Sequence, residues 1–360
     1  MICSFPRDDV KESGGSISLR RVLDSTKSAV LRVVASERVI RRASSKVLSD
    51  GTVTVLMYHT LSGDQEPQAA WTAVRTSDFL RQVEWLRKRY CIVSLEEALL
   101  GAVGNVEAPK VVLTFDDGEA GLHRLLLPMI ERESLPVTVY VATEQVESGR
   151  PYWFDRLINA AQVGKSAKIS LPDGLTVKLL PVDERGAWKS IAKILAYLKA
   201  LDAPAREVLT SDLAHRLRAV PLRKVTPLRP LNRHELAELA ASPWVTIGAH
   251  THGHELLNQI EPEVARATIE TSRRLLEDWT GRQVDHFAYP NGNHNPLLVE
   301  MVRDLGFRSA MSTRHGVWSE RSERFLIPRV PVGRYDDIAR FKLALLGGSQ
   351  KVLRMYWGGA

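Results

Sequence analysis

The chain has 360 residues, of which 44% are hydrophobic and 25% charged, and its formal net charge is +7. These values are ordinary for a globular protein, and the length suits one large α/β domain or two modest ones. The two cysteines, Cys3 and Cys91, exclude a disulfide framework and a cysteine-based zinc site. No apolar stretch approaches the roughly 20 residues that a transmembrane helix needs.

The N-terminal segment, residues 1–50, forms a basic arm in this interpretation. Between residues 17 and 48 apolar side chains recur among many arginines, as in a basic amphipathic helix. Such a helix could lie on an anionic membrane surface, but we favour a helix that packs on the catalytic domain with its basic face in solvent.

The first residues do not resemble a secretory signal, so we expect a cytoplasmic protein, with peripheral attachment to the inner membrane face left open. No nucleic-acid-binding motif accompanies the positive charge, so nucleic acid is not an expected partner.

Strands and helices alternate along the rest of the chain. The pattern predicts strands at 51–61, 111–115, 136–142, 244–250 and 285–290, and helices at 76–90, 121–133, 232–241, 262–281 and 295–305. Strands separated by helices of this length indicate βα units and a parallel sheet, whose active sites lie at the carboxyl ends of the strands. We therefore assign residues 51–335 to a catalytic domain, residues 150–232 to an insertion within it, and residues 336–360 to a C-terminal helical tail.

Two adjacent carboxylates, Asp116 and Asp117, follow the buried strand "VVLTF" directly. Each would raise the pKa of the other unless a cation lay between them. The stretch "IGAHTHGHELL" places His250 and His254 four residues apart at the end of another predicted strand. Two imidazoles and one carboxylate suit Zn²⁺, and three protein ligands leave positions open for water and substrate. The second carboxylate could then serve as a general base.

Each of these patterns has a plainer interpretation when it stands alone. An isolated pair of histidines at this spacing is often part of the surface or the core, and two adjacent aspartates often form a turn. Their joint occurrence at strand ends of one α/β domain nevertheless predicts a metal site.

The motifs resemble those of the polysaccharide deacetylases, the carbohydrate esterases of NodB homology. "TFDDG" is similar to their first motif, "HTHGH" to their H-[ST]-x-x-H motif, and "FAYPNG" stands where the third belongs. The resemblance covers roughly residues 51–335 and includes "VLMYH", "WFDRL" and "IPRVPV". It implies a distorted (β/α)₇ barrel with an inserted helical segment. The opening "VLMYH" and the "FAYP" variant are typical of the branch with exopolysaccharide and poly-N-acetylglucosamine deacetylases.

The resemblance also implies roles for individual residues. Asp117, His250 and His254 would bind a divalent metal, with Zn²⁺ expected and Co²⁺ or Ni²⁺ as alternatives, and Asp116 would be the general base. A backbone N–H near Asn291, in the segment Tyr289-Pro290-Asn291, would hold the oxyanion of the tetrahedral intermediate together with the metal. The substrate would be an N-acetylated oligosaccharide or polysaccharide.

The sequence departs from the family pattern at two places. It lacks the C-terminal L-x-H motif, so His59 is our candidate general acid and His315 its reserve; the less favoured alternative is that His59 is a hydrogen-bonded structural histidine. In the third motif, Ala288 stands where the arginine that orients the base is usual. Arg329 of "IPRVPV" is its expected replacement, with a structural ion pair as the competing explanation.

Aromatic residues near these motifs could stack on a sugar, although each fits core packing equally well; they are Tyr58, Trp153 and Tyr289. The function expected from all these features is metal-dependent removal of N-acetyl groups from a glycan of an exopolysaccharide or cell-surface pathway. The alternatives are hydrolysis of a non-sugar amide or imide on the same fold, and a catalytically silent glycan-binding module. An iron oxygenase with two histidines and one carboxylate is less consistent, because Asp117 lies far upstream of the histidines.

Overall fold

The structure is a computed structural model that describes residues 52–66, 70–101, 108–161, 167–179, 184–218 and 228–345. The predicted basic arm lies outside the described residues, as does the end of the predicted C-terminal tail. Within the described ranges, every helix is too short or too polar to span a bilayer.

The strands of the described residues form one large sheet and two small ones. The strands are β1 (Thr52–Tyr58), β2 (Thr60–Ser62), β3 (Ala73–Arg75), β4 (Cys91–Ile92), β5 (Lys110–Phe115), β6 (Val137–Val141), β7 (Ala167–Ser170), β8 (Thr176–Leu179), β9 (Val245–Ala249), β10 (His286–Ala288), β11 (Ser309–Met311), β12 (Trp318–Ser319) and β13 (Val330–Pro331). The large sheet has the order β11-β10-β9-β6-β5-β1-β12, and β4 and β13 pair with β5 and β1. Its pairs are parallel except β1 with β12, as the alternation of strands and helices predicted.

Helices cover the outer face of the large sheet and build the insertion. The helices are α1 (Thr76–Arg87), α2 (Leu95–Leu99), α3 (Leu127–Glu133), α4 (Thr143–Ser148), α5 (Trp153–Ala161), α6 (Glu184–Lys199), α7 (Ala203–Arg218), α8 (Arg233–Ala241), α9 (Pro262–Thr280), α10 (Pro296–Asp304) and α11 (Ile338–Leu345). A π-helical turn, Leu122–Leu126, precedes α3, so the helix predicted at 121–133 is divided.

Alternate residues of β5 belong to two different apolar clusters. Leu113 and Phe115 join the layer beneath the helices, whereas Val112 joins a smaller cluster on the other face of the sheet. This division follows from the two-residue period of a strand, and burial on both faces explains the continuous apolar run of β5. The smaller cluster also contains Val53, Val55, Tyr140, Ala288, Met311, Trp318 and Ile327. These side chains fill the inside of a curled sheet.

The segment at residues 327–331 contacts strands at both sides of the curled sheet. β13 pairs in parallel with β1, and Ile327, just before it, forms a parallel bridge with Met311 of β11. The sheet is therefore an incomplete barrel, in agreement with the predicted distorted barrel. Arg329 lies in this closing segment, which brings it to the inside of the barrel.

The predicted insertion has an apolar cluster of its own. Side chains of α5, α6, α7 and the β7–β8 hairpin pack together, and Ala70 and Ala73 of the main domain join them. At the other end of the domain, α11 packs on α1, with the Phe341 ring edge-on to Trp85 at 6.0 Å. The domain boundaries themselves stay predictions.

Candidate active site

The site lies where three parallel strands of the large sheet end. β1 ends immediately before His59, β5 immediately before Asp116, and β9 immediately before His250. Since β1, β5, β6 and β9 run in parallel, these residues meet at one edge of the sheet. The predicted strand 51–61 is interrupted at His59, because the chain leaves β1 there and continues as β2, which pairs with β3.

Asp117, His250 and His254 form the cluster in the described chain that could hold a metal ion. The Oδ1 atom of Asp117 lies 3.4 Å from Nε2 of His250 and 3.3 Å from Nε2 of His254. The potential ligand atoms all lie within 4.8 Å of one another. The structure therefore brings together the three ligands that the sequence predicted.

The turns that present these ligands have backbone conformations that L-residues rarely adopt. Asp117 has φ 73°, Thr251 has φ 62° and His254 has φ 58°. The Asp117 carbonyl accepts a hydrogen bond from the Tyr152 hydroxyl, which ties this turn to the start of the insertion. Residues with positive φ persist where the surrounding structure fixes them, and they concentrate at functional sites.

Hydrogen bonding selects the nitrogen of His250 that faces Asp117. Its Nδ1 lies 2.7 Å from the Ala288 carbonyl oxygen, to which an N–H must donate, so Nε2 carries the lone pair in the neutral ring. A backbone carbonyl in this position is typical of a metal-binding histidine. His254 packs edge-on against Tyr152 and Phe154 of the insertion, at ring distances of 5.3 and 5.4 Å.

The pKa of Asp117 fits a metal ligand. Burial alone would raise it, but the influence of the neighbouring His250 and His254 rings outweighs burial and holds the pKa well below its usual range. A carboxylate that stays ionised, beside two imidazole nitrogens, is a donor set that Zn²⁺ accepts. The residues present therefore fit a divalent metal.

Asp116 and Arg329 form a bidentate ion pair inside the barrel. Nη1 and Nη2 of Arg329 each lie 2.7 Å from a carboxylate oxygen of Asp116. The guanidinium is fully buried and also donates to the Ser312 carbonyl at 3.0 Å and to the Thr114 hydroxyl at 3.2 Å. Burial would raise the pKa of Asp116, but the charge of Arg329 lowers it overall. Arg329 thus occupies the position expected of the replacement arginine, while its role in orienting a base stays a prediction.

His59 lies close to both aspartates. Desolvation lowers its pKa, although the charges of Asp117 and Asp116 act in the opposite direction. Its Nδ1 is buried and has no hydrogen-bond partner in the described part of the chain, and its ring meets Trp71 edge-on at 5.7 Å. The reserve candidate, His315, lies near the backbone of Ala344 in α11, and burial lowers its pKa. The geometry therefore favours His59 over His315 as the acid, a role that stays a prediction.

The predicted substrate residues are placed very differently from one another. Tyr58 and Tyr289 are fully buried, and the Tyr58 hydroxyl donates to Gln82 at 2.9 Å while its ring stacks on Phe115. Neither tyrosine presents a face to a sugar in this structure, because both rings fill the apolar layer beneath the helices. The prediction that Tyr58 and Tyr289 stack on a sugar is therefore not consistent with this structure.

The other substrate candidates are nearer the surface. Trp153 is half-buried beneath the Arg206 guanidinium, which lies 5.4 Å from its ring centre. Pro290 is buried and opens a short 3-10 turn, Pro290–Gly292, in place of the end of the predicted strand 285–290. Asn291 in this turn is exposed and has φ 54°.

Two residues at this end of the barrel were not predicted. Trp71 lies beside His59 and packs against Gly333, where an added Cβ would come 2.0 Å from the indole nitrogen. Lys199 of α6 donates a hydrogen bond to Asn291 at 2.8 Å. Nothing in the sequence marks either residue, since both reach the site only through the packing of a loop or of the insertion.

A family of known proteins matches the second half of the domain. The family described as polysaccharide deacetylase matches residues 183–310, which include both histidines but neither Asp116 nor Asp117. A curated protein, the putative polysaccharide deacetylase YxkH of Bacillus subtilis (strain 168), is 24% identical over 102 residues. That match covers 28% of this chain and only 36% of the length of YxkH.

Solved structures are similar over most of the chain. The Streptococcus pyogenes deacetylase PplD in complex with acetate matches with a TM-score of 0.50 and 17% identity, over 82% of this chain and 99% of that one. IcaB from Ammonifex degensii matches with a TM-score of 0.51 and 18% identity, over 83% of this chain and 98% of that one. These likenesses confirm the predicted NodB-type α/β fold. The family match and the curated relative confirm that the chain is similar to the polysaccharide deacetylases, as its motifs predicted.

A substitution of His254 should weaken metal binding. We expect His254→Ala to lower the affinity for Zn²⁺ by more than the 10- to 100-fold that loss of an outer-shell partner typically costs. The matched control is His252→Ala, because the His252 ring instead hydrogen-bonds the Thr143 hydroxyl at 2.8 Å. Titration calorimetry of the metal-free variants with Zn²⁺ measures both affinities. Equal affinities would contradict the assigned ligand set.

Proposed function

We propose that this protein is a metal-dependent N-deacetylase that hydrolyses the N-acetyl group of a sugar in an exopolysaccharide or cell-surface glycan. One observation carries the proposal: the buried cluster of Asp117, His250 and His254 lies beside the Asp116–Arg329 ion pair at the same edge of the sheet. The family match and the fold shared with PplD and IcaB support it.

The metal-binding cluster and the Asp116–Arg329 ion pair would have different roles in amide hydrolysis. A divalent ion held by Asp117, His250 and His254 would polarise the acetyl carbonyl and lower the pKa of water. Asp116 remains ionised because Arg329 lowers its pKa, so it is able to accept a proton from the attacking water. Since both of its oxygens are held by the guanidinium, the carboxylate has one fixed orientation.

A proton must also reach the departing amine of the sugar. His59 is suited to this step by its place beside both aspartates, whose charges partly offset the lowering of its pKa by burial. The exposed turn at Asn291 would hold the developing oxyanion through a backbone N–H.

Acetate release tests the proposal directly. The purified protein would be freed of metal, reloaded with Zn²⁺, Co²⁺ or Ni²⁺, and incubated with N-acetylglucosamine oligomers and with a crude exopolysaccharide pool. We expect acetate only from the loaded protein, with activity lost to a chelator and restored by the metal.

The alternatives give different results in the same assay. Metal binding with turnover of a cyclic imide, but not of any acetylated sugar, would indicate a non-sugar amide or imide hydrolase. Metal and sugar binding without turnover of any compound would indicate a silent glycan-binding module. Either result would contradict the proposed activity while leaving the fold unchanged.

We also propose that the protein acts on the cytoplasmic side of the membrane. The basis is the sequence pattern of the first 50 residues, which lie outside the described structure. Cell fractionation tests this proposal, and recovery of all the protein from the periplasm or the medium would contradict it.

A further inference from the structure

Lys199 is the last residue of α6 and connects the insertion to the turn at Asn291, beside the candidate active site. Its Nζ donates to Oδ1 of Asn291 at 2.8 Å. The Asn291 amide donates in turn to Asn293 at 2.8 Å, and the Asn293 amide donates to Asn258 at 2.7 Å. This row of polar side chains links the insertion to the turn after β10 and to the loop that follows the metal-binding histidines.

The ammonium group of Lys199 lies within electrostatic reach of the metal ligands. Lys199 is exposed as a whole residue, yet desolvation by the protein around its ammonium group lowers its pKa. The Asp117 carboxylate acts on the same group in the opposite direction. The hydrogen bond to Asn291 places this cation beside the turn that is expected to hold the oxyanion.

Lys199 has no hydrogen-bonded carboxylate within the described ranges. Its hydrogen bond ends on a neutral amide oxygen, and an ammonium group has three donors. The Asp117 charge that attracts it would be shared with a bound metal ion, which leaves the lysine without a counterion. Two other cations of the domain and the insertion do have carboxylate partners: Arg329 pairs with Asp116, and Arg156 pairs with Glu207.

We propose that Lys199 binds an anionic group of the substrate, a carboxylate or a phosphate, next to the sugar that loses its acetyl group. The inference rests on the proposed deacetylase function and names its substrate class. Lysine binds such oxyanions as a point charge with several donors. A net charge of +7 favours encounters with anionic glycans. The carboxylate would come from a neighbouring uronic acid, and the phosphate from an activated or lipid-linked sugar.

Three substrates distinguish the two possible sources of the anionic group. A neutral N-acetylglucosamine oligomer is the reference, an oligomer in which N-acetylglucosamine alternates with a uronic acid supplies the carboxylate, and N-acetylglucosamine 1-phosphate supplies the phosphate. We expect the metal-loaded wild-type protein to prefer one of the two anionic substrates over the neutral one at least tenfold in kcat/KM. Lys199→Met should reduce this preference by about tenfold to a hundredfold, the range for a hydrogen bond between charged groups. Lys199→Arg should retain most of it, because the charge remains. Lys193→Met, on an exposed lysine of the same helix, is the control and should leave the preference unchanged.

Two results would overturn the inference and leave the proposed function intact. One is equal turnover of neutral and anionic substrates by the wild-type protein. The other is an equal loss of kcat/KM for all substrates in Lys199→Met, which would make Lys199 a positioning residue for Asn291. Failure of the wild-type protein to release acetate from any N-acetylated sugar would instead contradict the proposed function, and the inference with it.

Discussion

Asp116→Asn is expected to lower kcat for deacetylation by about 10²- to 10⁴-fold, the usual contribution of a general base. The asparagine side chain has nearly the same shape but cannot accept a proton from water at neutral pH. Asp116 is not among the predicted metal ligands, so the affinity for Zn²⁺ should change far less than in His254→Ala. Acetate release under saturating substrate, together with Zn²⁺ titration of the same preparation, measures both quantities.

The control for this variant is Asp285→Asn, which also removes a carboxylate paired with an arginine, Arg273, but at the far end of β10. It should keep its kcat. Circular dichroism at the assay temperature verifies that both proteins are folded. If Asp116→Asn kept more than about a tenth of the wild-type kcat, Asp116 would not be the base, since a base contributes at least about 100-fold.

Arg329→Met is expected to lower the free energy of unfolding by about 3–5 kcal/mol, the usual cost of removing one partner of a buried ion pair. The variant leaves the Asp116 carboxylate inside the barrel without its counterion. Urea denaturation of the metal-free protein measures the change. A loss below about 1 kcal/mol, as is typical of exposed pairs, would contradict this description of the pair.

A double variant separates the charge from the packing. Asp116→Asn combined with Arg329→Met should be more stable than the sum of the two single losses predicts, because no buried charge remains unpaired. Arg329→Lys tests the geometry, since lysine keeps the charge but cannot hold both carboxylate oxygens at once. It should keep more stability than Arg329→Met and still lose activity if a fixed orientation of Asp116 matters.

The sequence predicted the metal cluster because its signal is local. The aspartate pair and His250 directly follow apolar runs typical of buried strands, His254 lies four residues further on, and parallel strands end at the same edge of a sheet. The resemblance to the family then assigned Asp117, and not Asp116, as the carboxylate ligand. Arg329 was predicted from the absence of an arginine at position 288, and the structure places it on Asp116. The NodB-type α/β fold could be predicted for the same reason, from the alternation of strands and helices together with the motifs.

The sequence was less informative where the direction of a side chain decides its role. Tyr58 and Tyr289 stand beside site residues in the sequence, but both of these rings point into the core. For Tyr58, the last residue of β1, this follows from the alternation of side chains between the two faces of a strand. Lys199 and Trp71 could not be predicted, because their positions depend on how the insertion and a loop pack against the barrel. Such contacts join residues far apart in the chain, and no local pattern records them.

The ion pair at the centre of the barrel joins residues 213 positions apart in the chain. During synthesis, the strand that carries the aspartate leaves the ribosome long before the segment that carries its arginine. Until β13 docks on β1, the carboxylate has no counterion and the barrel cannot close around it. The nascent chain can thus build much of its sheet without a competent catalytic centre. Hydrolytic activity should therefore arise only after residue 329 has been synthesised, and a chain terminated before that residue should be inactive even if its metal-binding residues are all present.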